Sequence, residues 1–137
     1  MMRTATLLLL AVLSGCGEPP VPVGATLSAT SSDGMFEAHV TPQVVSIPLN
    51  EPFAVTLSLV DPTTGAAFTD YDRVTIDARM PAHGHGMLRY VDLQPAEGGA
   101  MRADGFLFHM VGHWEIHVDV YRGPRIERAQ ISVNLEF

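Results

Sequence analysis

Apolar and polar residues alternate with a period of two through most of this chain. Phe53, Val55, Leu57 and Leu59 alternate with Ala54, Thr56 and Ser58, which predicts a strand with one buried and one wet face. Val74, Ile76, Ala78 and Met80 repeat the pattern, with Thr75, Asp77 and Arg79 turned outward. So do Trp114, Ile116, Val118 and Val120, and then Ile131, Val133, Leu135 and Phe137. Shorter runs predict further strands over 25–30, 35–41, 43–47, 87–93 and 105–110. Turn residues separate them: Ser31-Ser32-Asp33-Gly34 reads as a hairpin turn, and Asp61 to Gly65, Pro95 to Gly99, Val111-Gly112 and Gly123-Pro124 break the chain. No segment carries a capped apolar period of 3.6. Alternating faces belong to antiparallel rather than parallel sheets, whose strands are apolar throughout. Seven to nine short strands over 25–137 predict an all-β fold, an immunoglobulin-like antiparallel β-sandwich, which needs roughly 100 residues. Neither an internal repeat nor a linker divides it.

The first residues follow a different pattern. Arg3 precedes an apolar run over 7–13 that is too short to span a bilayer. It ends in Leu13-Ser14-Gly15-Cys16, which resembles the bacterial lipoprotein signal box. That resemblance implies a signal peptide over 1–15, cleavage before Cys16, lipidation of Cys16 and anchoring to a membrane facing the periplasm. Gly17 in place of Asp resembles the pattern of lipoproteins sorted to the outer membrane. The proline-rich stretch 16–24 then reads as an extended tether.

Composition narrows the chemistry. The chain holds 137 residues, 15 Asp and Glu against 8 Lys and Arg, and a net charge of −7. No basic strip forms, so a nucleic-acid partner is not expected. Cys16 is the only cysteine, which excludes an internal disulfide and the thiolate that a blue-copper centre requires. Zinc-protease, nucleophile-elbow and phosphate-loop motifs are absent, and nothing points to an enzyme.

Two short segments stand apart. Met80-Pro81-Ala82-His83-Gly84-His85-Gly86-Met87 and His109-Met110-Val111-Gly112-His113-Trp114 hold four of the six histidines. Thioether and imidazole together suit copper, Cu(I) above all, better than magnesium or calcium. If successive strands alternate direction, the loop 81–86 and the turn 111–112 share one end of the sandwich, where binding residues collect. His83 and His85 are the leading candidate ligands, followed by His109, His113 and Met87. Met80 and Met110 share parity with core positions, so each reads as core filler as readily as a ligand. Trp114 reads as core, its indole N–H tied to a loop carbonyl. His117 lies on the outward face beside Glu115 and Asp119 and reads as a solvated sheet residue.

The Met80-Pro81-x-His83-Gly84-His85-Gly86-Met87 segment, followed by Gly105-Phe106-x-Phe108-x-Met110-x-Gly112-x-Trp114, resembles the YtkA-like domain family. These are small exported β-sandwiches related to the FixH-like domains of cytochrome oxidase assembly. The resemblance covers about the last two-thirds of the chain and implies the fold more directly than a role, although some such proteins handle copper. This chain departs from the FixH type in having a lipid signal and no spanning helix. Two functions follow as expectations. One is a lipid-anchored copper-binding protein for delivery, buffering or resistance, with a copper-receiving partner. The other is a metal-free immunoglobulin-like module that docks on an envelope protein.

Overall fold

The computed structural model describes residues 24–136. Cys16, the signal segment, most of the tether and Phe137 lie outside the described residues. Nine strands form two antiparallel sheets. They are β1 (Leu27–Thr30), β2 (Glu37–Pro42), β3 (Phe53–Val60), β4 (Arg73–Met80), β5 (His85–Gly86), β6 (Leu93–Pro95), β7 (Met101–Phe106), β8 (Gly112–Arg122) and β9 (Arg125–Leu135). One sheet has the order β1-β2-β3-β7-β6 and the other β5-β4-β8-β9. With β2 taken as strand A, these are the A-B-E-D and C′-C-F-G arrangements of an immunoglobulin-like sandwich, β1 being an addition at the edge. The expected all-β sandwich is therefore the observed one. No helix among the described residues is long and apolar enough to cross a membrane.

The period-two pattern is the cause of this architecture. Val55, Leu57 and Leu59 of β3 face Ile76, Ala78 and Met80 of β4, Ile116, Val118 and Val120 of β8, and Ile131 and Val133 of β9 in a single buried cluster. An aromatic wall closes one end of it. Phe53 lies 5.8 Å from Phe106 and 5.7 Å from Phe108, and Phe108 lies 4.9 Å from Trp114, centroid to centroid. The opposite end is closed by polar contacts. Glu127, only 2% exposed, accepts a hydrogen bond from Ser31 Oγ (2.8 Å) and pairs with Arg125, holding the β1–β2 turn against β9. A buried carboxylate persists only when its lone pairs find such donors.

Three expected strands differ. Residues 43–46 form bends and 47 is irregular, with Gln43 N–H donating to the Ala54 carbonyl (2.8 Å). Residues 87–93 form no continuous strand: the chain leaves the second sheet after Gly86 and enters the first at Leu93. Met87, Val91 and Leu93 nevertheless pack against the core, so their alternation records burial and not pairing. β7 ends at Phe106. Phe108 keeps the buried parity without a ladder, making only an isolated parallel bridge to Leu49.

Candidate metal centre

β4 and β8 pair antiparallel, with Arg79 opposite Glu115, so the end of β4 and the start of β8 lie side by side. The loop 81–86 and the turn before Gly112 therefore share one end of the sandwich, as strand direction predicts. After Met80, a single 3₁₀ turn over Pro81–His83 reverses the chain. Gly84 completes it in the left-handed region (φ 67°), its N–H donating to the Met80 carbonyl at 3.0 Å. The short strand β5 then returns along β4, with His85 opposite Met80.

Three imidazoles meet there. The rings of His83 and His85 lie 5.6 Å apart and those of His85 and His109 5.0 Å apart. Both His85 (6.2 Å) and His109 (5.3 Å) stand edge-on to Trp114, which is fully buried. Trp114 is fixed in turn by its indole N–H, which donates to the Met110 carbonyl at 2.9 Å. The aromatic wall thus forms the floor of the imidazole group. The Gly86 carbonyl, which can only accept, lies 3.3 Å from His85 Nδ1. His109 Nδ1 is buried and has no hydrogen-bond partner. Burial, and secondarily the nearby His85, hold the His109 imidazole below its ordinary pKa and favour the neutral, ligating form.

Two imidazoles on one metal, at bonds of about 2.0–2.1 Å, place their ring centres about 5 Å apart. The observed ring spacings match that separation. As the side chains stand, no three His, Cys, Asp or Glu among the described residues converge on one point. Joint ligation therefore takes a rotation of His83 and His85 about their side-chain bonds. His83 is exposed on its loop and free to make it.

The remaining candidates divide. Met80 is a core residue, 1% exposed. Its methyl lies 3.3 Å from where a Cβ on Gly112 would sit, so any side chain at that position would press on it. Met110 is half-buried against the core, and its carbonyl orients Trp114. Met87 is half-buried, and its Sδ accepts the Leu107 N–H at 3.4 Å, joining the β5 end to the segment after β7.

His113 does not join the other three. Adjacent in β8 to the inward Trp114, it points outward, with Nδ1 3.0 Å from Asn134 Oδ1 and Nε2 3.7 Å from Glu115. His117 is outward as expected but not solvated: it is 8% exposed, with Nε2 3.2 Å from Glu115 Oε2 and Nδ1 unpartnered. Its parity was readable in the sequence. Its burial was not, because it depends on the neighbouring side chains and on the crossing segment 87–92, whose residues 90–92 line a cleft together with it.

No family model, curated protein or solved structure matches the chain.

Proposed function

We propose that this chain is a lipid-anchored, exported copper-binding protein of the YtkA-like kind, taking one copper ion at its imidazole end for delivery, buffering or resistance. The observation that carries the reading is the row of neighbouring rings His83, His85 and His109, the last two edge-on to Trp114, with a buried, unpartnered nitrogen on His109. Buried polar groups normally find partners, and one left without any beside the His85 imidazole is suited to a ligand. The class of metal follows from the donors. The segments 80–87 and 105–114 contain no Asp or Glu, so a hard, oxygen-seeking cation finds no carboxylate in either. Imidazole with neighbouring thioether suits copper. Met87 and Met110, both half-buried, are the sulfurs available at this end, whereas Met80 is committed to the core. The anchor rests on Leu13-Ser14-Gly15-Cys16, and the outer membrane is favoured by Gly17.

Trp114 is the only tryptophan, so its fluorescence reports on this end alone. Copper added to the metal-free protein should quench it and saturate at one equivalent. Replacing both His83 and His85 by Ala should weaken binding at least about tenfold, or ~1.4 kcal/mol, with the fold intact. His113→Ala should leave affinity unchanged. Affinity should fall on acidification, because imidazole ligates only when deprotonated. Equal copper affinity in the double variant would leave the metal-free docking module as the better reading.

A further inference from the structure

The second sheet has an edge that its own short strand leaves open. β5 pairs with β4 only at Arg79 and Met80. Just beyond, the Met87 N–H donates to the Ala78 carbonyl at 3.0 Å, so the even-numbered residues of β4 direct their main-chain groups to that side. In an antiparallel strand this alternation continues, and Ile76 and Val74 present N–H and C=O to the same side. Among the described residues β4 pairs only with β5 and β8, and no strand reaches these two. Natural edges are usually blocked by proline, lysine or a bulge. β4 contains neither residue, and its register with β8 runs from Arg73 to Arg79 without a shift.

A cleft of about 400 Å³ runs from the outer face of the second sheet, at His117, Asp119 and Arg128, to this edge, at Ile76, Val91 and Asp92. The Ile76 side chain belongs to the core, so main chain is what it offers to the cleft. Charge and shape name the occupant. The lining carboxylates of Asp77 and Asp119 already face Arg79 (3.6 Å) and Arg128 (2.7 and 2.8 Å), but Asp92 has no partner among the described residues. Tyr90 is 100% exposed on the crossing segment, a bare aromatic face beside that free carboxylate. The whole chain is acidic, at −7.

We propose that the open edge of β4 at Val74 and Ile76 accepts one added strand from a partner protein: an extended, basic peptide segment. The two residues offer it two donors and two acceptors, a basic side chain meets Asp92, and an apolar neighbour lies against Tyr90 and Val91. Strand addition draws affinity from main-chain hydrogen bonds and specificity from such side-chain contacts. The proposal does not depend on whether the imidazole end takes copper.

The test uses the full chain and a short synthetic peptide of alternating valine and lysine. In the free protein the Val74 and Ile76 amides should exchange with solvent faster than those of Thr75 and Asp77. Saturating peptide should slow the exchange of Val74 and Ile76 at least about tenfold. N-methylation of the peptide's alternate amides should abolish this, and a valine–glutamate peptide should bind more weakly. Asp92→Asn, an exposed change, should narrow the preference for lysine over glutamate. Absence of binding at millimolar peptide, or binding that N-methylation leaves intact, overturns the proposal. So does protection of both amides in the peptide-free protein that grows with its concentration, which would make a second copy of the chain the occupant.

Discussion

The histidines at the end of the sandwich and those on the outer face of β8 have the same chemistry and different surroundings. His113 and His117 flank Glu115 at alternate positions of one strand, and Asn134 of β9 holds the far side of His113. Each has a fixed polar partner on at least one nitrogen, although His117 Nδ1, like His109 Nδ1, is buried without one. Among the described residues, His83 and His109 make no hydrogen bond to a side chain, and His85 has only the weak contact to the Gly86 carbonyl. These three touch chiefly one another and Trp114. Histidine count along a sequence thus says less than partner count in space. What separates the two groups is the neighbour: Glu115 and Asn134 hold the histidines of β8, whereas His85 and His109 face another imidazole.

The sharpest way to break this contrast is to remove the floor beneath the end group. Trp114→Ala should cost about 3–5 kcal/mol, the usual loss for a buried aromatic, measured by denaturant unfolding of metal-free protein. It should also free His85 and His109 from their common support and weaken copper binding. A loss below about 1 kcal/mol would contradict the buried position of Trp114. The next effect concerns the outer face. Glu115→Ala deprives His117 Nε2 of its partner inside a buried environment and should cost about 1–3 kcal/mol. His85→Ala removes no comparable bond and should stay within about 0.5 kcal/mol. Equal losses in these two variants would erase the distinction between the groups.

Much of the fold was legible because β3, β4, β8 and β9 each bury one face, and a period of two is then imprinted on the residues themselves. The same signal misleads where a chain is half-buried without pairing. Met87, Val91 and Leu93 alternate as a strand would, yet they line a crossing between the sheets. The hydrogen-bond partner of a strand leaves no trace in its own sequence, so the open edge at Val74 and Ile76 was equally invisible. In the candidate site, the Gly-flanked His83 and His85 were readable, as was their meeting with His109 at one end. His113, expected in the same patch as His109, instead faces Asn134 and Glu115 on the outer side of β8, a placement that parity alone did not separate from that of His109. Glu127 gave no warning, since an acidic residue at an inward position looks like an interruption of the apolar pattern until Ser31 and Arg125 are seen around it.

The smallest effect is the pH dependence that His109 adds to stability. Burial, with a lesser contribution from His85, lowers its pKa in the folded protein below the ordinary 6.5. Between the folded and unfolded pKa values the unfolded chain therefore binds more protons, and stability rises with pH across that interval. The contribution is fully present above about 6.5 and is lost as pH falls from there through the folded pKa. His109→Gln should flatten this part of the stability profile of the metal-free protein while leaving its value near neutrality almost unchanged. If His109→Gln keeps the full slope below 6.5, the proton is taken up elsewhere and the burial of His109 does not set this part of the profile.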